Sequence, residues 1–193
     1  MRSLPLPPRG CGKVASDVTS WYFIAVRVTH FIAGITWIGL LYYFNFVQVP
    51  TFKELDAPTR STLIPKLVKR ALFWFRWSAV VTVLAGWLYF FSWWAVNGYF
   101  SLATGIAPPT GTWDVSILAG GIFGTVMFLN VWGIIWPNQK RVIAATEAAA
   151  RGIAAPPQMA MWGKRATIAS RFNMLLSFPM LFFMASASHV SLI

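Results

Sequence analysis

Four long apolar runs, almost free of charge, dominate the chain. The first extends from Trp21 to Val49 and is interrupted only by Arg27 and His30. The second, Ala71 to Val96, holds one charge, Arg76. The third, Val115 to Trp136, holds none, and in the fourth, Phe172 to Ile193, only His189 can ionise. Each reaches the roughly 20 residues that a helix needs to cross a bilayer. None alternates polar and apolar residues as barrel strands do. Across the 193 residues, 57% are hydrophobic and 11% charged, against about a quarter charged in an ordinary soluble domain. A water-soluble enzyme and a disordered chain are both excluded. The expected fold is all-α: an integral membrane four-helix up-down bundle. Its helices are expected at about 21–49, 71–96, 115–136 and 172–193, with a tail at 1–20 and a membrane domain at 21–193.

The net charge of +11 does not point to nucleic acid, because the basic residues lie between the spans. Lys53, Arg60, Lys66, Lys69 and Arg70 fall in the first connection, and Lys140, Arg141, Arg151, Lys164, Arg165 and Arg171 in the third. The Asn97–Asp114 connection has neither Lys nor Arg. By the positive-inside rule the first and third connections are cytoplasmic and both termini lie outside, so residues 1–20 form an extracytoplasmic tail. That tail has no apolar core, so it does not read as a cleavable signal peptide. Past Pro137 the third helix is expected to continue, after a kink, through an Ala-rich stretch to about residue 152, where Gly152 ends it. Tryptophans at the run ends (Trp21, Trp74, Trp77, Trp93, Trp94, Trp113 and Trp136) suggest interfacial belts. Gly120-x3-Gly124 suggests a close-packing face on the third helix.

A short pattern recurs. Lys69-Arg70-Ala71-x4-Arg76-Trp77 is echoed by Lys164-Arg165-Ala166-x4-Arg171-Phe172. The preceding runs end in Asn45…Pro50 and Asn130…Pro137. Two helical hairpins related by an axis along the membrane normal would give this pattern. So would the shared needs of any basic-aromatic helix entry.

Both histidines lie inside spans, where ionisable groups are costly and mark functional sites. At 1.5 Å per residue, His30 and His189 lie roughly 28 and 27 Å from the same membrane boundary. The first and last helices of an up-down bundle are neighbours. At 100° per residue, Arg27, His30, Asn45 and Gln48 fall within about 60° of one another. Two imidazoles facing at one depth suit axial ligation of haem b, with Arg27 placed near a propionate. The plainer alternative is two neutral histidines hydrogen-bonded between helices. No third histidine or carboxylate joins them, which disfavours a bare copper or iron site. Arg76 and Arg171, near the cytoplasmic boundary, are expected to snorkel to headgroups or to hold a lipid or quinone headgroup. The single cysteine, Cys11, rules out an intramolecular disulfide and C-x-x-C-H haem attachment. The common nucleotide, zinc-protease and hydrolase signatures are also missing.

Several strings carry a family resemblance. His30-Phe31-x-Ala33-Gly34-x-x-Trp37-Ile38-Gly39 followed by Leu41-Tyr42-Tyr43-Phe44-Asn45-Phe46 resembles the first helix of the bacterial urate oxidase N-terminal membrane domain family. Asn130-Val131-Trp132-Gly133-x-x-Trp136-Pro137-Asn138-Gln139-Lys140 and Arg171-Phe172-Asn173-x5-Pro179-Met180 resemble later parts of it. Longer members are membrane-bound, cytochrome c-coupled urate oxidases. The resemblance therefore implies redox chemistry at the outer face of a bacterial inner membrane. This chain ends soon after His189 and lacks a c-haem motif, so it reads as a short form without the cytochrome c domain. The expected function is a haem-carrying electron-transfer subunit of a larger inner-membrane complex, with lipids, other membrane subunits and a cytochrome c as partners. The alternatives are a structural or accessory subunit of a respiratory or photosynthetic complex, and a urate oxidase-like enzyme.

Overall fold

The computed structural model describes residues 11–97, 100–101, 105–106 and 112–187. It is almost wholly helical. α1 (Cys11–Tyr42) passes through a π turn at Tyr43–Gln48 into α2 (Val49–Glu54). α3 (Ala57–Leu63) passes through a second π turn at Ile64–Val68 into α4 (Lys69–Val96). Two short strands, β1 (Phe100–Ser101) and β2 (Gly105–Ile106), pair antiparallel in the connection that follows. α5 (Thr112–Asn130) runs through a third π turn at Val131–Ile135 into α6 (Trp136–Ala149), and α7 (Met159–Ser186) completes the described structure.

Among the described residues, four helical runs are long and apolar enough to cross a membrane: Thr19–Glu54, Ala57–Val96, Trp113–Ala149 and Met159–Ser186. At most 28% of the most apolar stretch of any run is buried within the chain. Large side chains such as Trp21, Ile35, Leu84, Leu129 and Leu175 are 60% or more exposed. An outward surface this apolar fits lipid and does not fit water.

These helices are longer than the apolar runs, because a backbone hydrogen-bond ladder does not stop where hydropathy falls. Helix begins at Cys11, inside the segment expected to be a tail. Most of the expected Pro50–Arg70 connection is also helical, broken only where Leu55 and Asp56 turn extended. There the Asp56 carboxylate accepts from the Thr59 amide at 3.3 Å and caps α3. The fourth run starts at Met159, well before Phe172. α6 does continue past Pro137 to Ala149. Gly152, with φ of 83°, then ends it. Ile153 donates to the Ala148 carbonyl at 3.2 Å and Gly152 to that of Ala149 at 3.0 Å, the pattern of a glycine-terminated helix.

Prolines explain the π turns. A helical proline has no N–H to give and its ring crowds the carbonyl one turn back. Pro50 and Pro137 each follow a π turn closely and Pro65 lies within one. The wider turn relieves the crowding without ending the helix.

The most extensive packing joins α1 to α4 and α5 to α7. Tyr22 meets Ser92 at 2.8 Å and, further along, Phe44 meets the edge of Phe75 at 5.3 Å. Phe123 stacks on Phe183 at 6.0 Å, whereas Asn130 reaches Asn173 at 2.7 Å. In both pairs numbers rise on one helix as they fall on the other, so the partners are antiparallel. Between them lies a core built on Trp37, Leu41, Phe75, Met127 and Val131.

Two packing expectations need correction. Trp94 is not a headgroup anchor: it is 6% exposed and its indole N–H lies 3.4 Å from Asp114 Oδ1. Of the two spaced glycines, only Gly120 makes a close approach. A Cβ there would lie 3.0 Å from Met184, whereas one at Gly124 would meet nothing within 4 Å.

Candidate functional site

α1 and α4 together position His30. One turn of α4 presents the Thr82 carbonyl and the next presents Gly86, which has no side chain. The imidazole lies in that gap, with Nδ1 2.8 Å from the Thr82 oxygen. A Cβ on Gly86 would stand 2.9 Å from His30 Cε1, closer than real contacts allow. A carbonyl oxygen only accepts, so Nδ1 carries the proton. In the neutral ring Nε2 keeps the lone pair. Gly34 continues the small-residue seam, with Thr82 3.7 Å from the position of a Cβ.

Arg27 lies one turn away on the same helix. It donates to the Tyr89 hydroxyl and its guanidinium sits 5.0 Å from the centre of that ring. The polar stripe expected on the first helix is thus turned toward its neighbours. Arg27 and His30 meet α4, and Asn45 meets α7. His189 lies outside the described residues.

Arg76 and Arg171 differ in setting. The Arg76 guanidinium stacks 3.7 Å from the centre of the Trp136 ring, with Phe73 at 5.6 Å. Arg171 is exposed. Such stacking on an indole face holds a cation without a carboxylate. Trp77 meets Trp132 edge-on beside it at 5.7 Å.

A second polar cluster lies where the helices meet near their Lys- and Arg-rich end. Asn130 Nδ2 donates to Asn173 Oδ1 at 2.7 Å and to the Ala169 carbonyl at 2.9 Å, and Asn173 Nδ2 donates to the Met127 carbonyl at 3.0 Å. Asn45 donates to Ser170 Oγ at 2.8 Å, and the Tyr42 and Ser177 hydroxyls are 2.9 Å apart. Asn173 and Ser177 have no exposed surface. Sequence reasoning placed Asn45 on the polar stripe of the first run but gave Tyr42, Asn130, Ser170, Asn173 and Ser177 no such role, although polar side chains inside apolar runs were the available signal. Among the described residues, buried Trp37 Nε1, Gln48 Oε1, Trp132 Nε1 and Asn138 Oδ1 have no partner. No group of three or more metal-binding side chains occurs among them either.

Fold and site together define a helical chain with four helices apolar enough to span a membrane; among the described residues its interior holds a fixed imidazole and a polar clasp around α7. Residues 111–193 match the family model described as Urate oxidase N-terminal, which supports the family suspected from the sequence. The matched part contains the Asn130…Lys140 and Arg171…Met180 strings and lies wholly beyond the His30 string. No curated protein and no solved structure matches the chain.

Proposed function

We propose that the chain is a membrane-embedded redox subunit that binds haem b between its first and last spans and works within a larger bacterial inner-membrane complex. The setting of His30 carries this reading. A histidine that ligates a metal through one nitrogen usually donates from the other to a carbonyl or carboxylate, which fixes the ring and raises its basicity. His30 meets this condition: Nδ1–H is committed to Thr82, and Nε2 is left with its lone pair. Gly86 supplies the space that the ring requires. In this reading His30 and His189 would hold the haem iron, and Arg27, which donates to Tyr89, would supply positive charge one turn away. A haem so held would supply one-electron transfer. The four spans form an up-down bundle of two related hairpins, both termini are periplasmic, and a cytochrome c is the natural redox partner of such a site.

The test is the visible spectrum of the full chain purified after expression with ample haem. Wild type should show sharp low-spin bands. His30→Ala and His189→Ala should each lose the haem or turn it high-spin. Gly86→Ala, which displaces the ring without removing it, should lower haem content while Gly124→Ala does not. A colourless wild type, or haem retained unchanged in both histidine variants, would overturn the proposal.

The outward aromatic surface favours a second reading. Trp74, Phe91, Phe172 and Phe182 are each 48–58% exposed, a surface suited to lateral packing by an accessory subunit. Under that reading His30 is an interhelical hydrogen bond and the purified chain is colourless.

A further inference from the structure

An open apolar groove of about 490 Å³ runs between α1 and α4. Ile35, Gly39 and Leu40 line one side, Ala71 and Trp74 the other, and Arg70 stands at its mouth. A second concavity of about 640 Å³ shares Arg70 and adds Lys66, Lys69 and Phe73. Lys69 is paired with Glu147 at 2.9 Å, the sole ion pair among the described residues. Arg70 and Lys66 are exposed and meet no carboxylate there. An apolar slot that opens under unpaired cations at a membrane interface matches one chemistry: an acyl chain beneath an anionic headgroup.

We infer that this groove binds an anionic phospholipid from the leaflet at the Lys- and Arg-rich end of the helices. An acyl chain lies along α1 over Gly39, and the headgroup phosphate meets Arg70 and Lys66. Gly39 forms the floor, since a Cβ there would meet nothing within 4 Å. A leucine at that position starts its side chain in open space within the slot, and leucine is the stronger helix former. The groove shares no lining residue with the His30 pocket, which lies further along the same two helices, and does not depend on it.

Native mass spectrometry of the full chain, released from micelles with equal mole fractions of phosphatidylglycerol and phosphatidylcholine, tests the assignment. Wild type should retain phosphatidylglycerol preferentially. Arg70→Gln should reduce that preference roughly fivefold, the effect of about one interfacial charge. Lys66→Gln should act in the same direction, and Arg60→Gln, outside the groove, should have no effect. Gly39→Leu should reduce occupancy by both lipids while its melting temperature holds. Three results would overturn the inference: equal retention of the two lipids by wild type, an Arg70 variant that matches the Arg60 variant, or full occupancy in Gly39→Leu. Complete displacement by soluble glycerol phosphate, or recovery of a quinone in the lipid's place, would also overturn it.

Discussion

Asn173 has both ends of its amide in use and no exposed surface, so it shows what a single polar residue does inside this protein. Asn173→Ala would remove a donor to the Met127 carbonyl and leave one Asn130 N–H without a partner, at a cost of about 1–3 kcal/mol. Denaturant titration in detergent should show that loss, and Ser61→Ala, on exposed α3, should show almost none. An Asn173 variant as stable as the Ser61 variant would remove the clasp from the account. Legibility differs from residue to residue. His30 stood out in the sequence because an ionisable group within an apolar run is costly, and its pairing with Arg27 on one face follows from helical phase. The Thr82 carbonyl was not legible, because a backbone acceptor has no letter of its own. Gly86 looked like any helical glycine until the ring lay against it. Arg76 was read as a boundary cation; its Trp136 platform comes from a different run, and no periodicity reports a contact across runs.

Individual helices were legible where hydropathy marks them and illegible where only hydrogen bonding does. Helix beyond Val49 and before Ala71 is polar enough to read as a loop, yet prolines at the starts of α2 and α3 and the Asp56 cap keep it helical. Gly120 and Gly124 looked equivalent at a spacing of four. The two separate only because Met184 on α7 faces one of them. Gly120→Leu should overpack the α5–α7 contact and cost about 1–3 kcal/mol, whereas Gly124→Ala should be neutral or stabilise by up to about 1 kcal/mol. Thermal unfolding of the two variants would separate them, and equal melting temperatures would contradict the assigned contact. The Thr59 hydrogen bond holds the Asp56 carboxyl below its ordinary value. A depressed carboxyl contributes stability above the unfolded pKa, about 3.9, and that contribution disappears as the pH falls through the folded value. Amide exchange at Thr59 should therefore quicken below about pH 4 in wild type. In Asp56→Asn, which caps without titrating, exchange should show no such step beyond the usual chemical dependence.

For the molecule as a whole, the apolar runs and basic connections specified four spans, and the structure contains four runs able to serve as them. The proposed orientation leads to a direct labelling test. In a Cys11→Ser background, Thr110→Cys should react with an impermeant maleimide in intact cells and Lys164→Cys should not. The reverse pattern would invert the topology and move the phospholipid groove to the outer leaflet. Packing between runs was the least legible feature, since the sequence offers no pairing signal beyond a short repeat. The polar clasp has a further consequence, for biogenesis. The fourth run has the lowest mean hydropathy, 1.4 against 1.8 for the third, and it carries Ser170, Asn173 and Ser177. It is also the last of the four to leave the ribosome. By then Asn45, Tyr42, Asn130 and the Met127 carbonyl, on the first and third runs, are already made and can accept it. Its polar side chains thus find their partners on helices made before it, and order of synthesis becomes part of how this sequence reaches its fold.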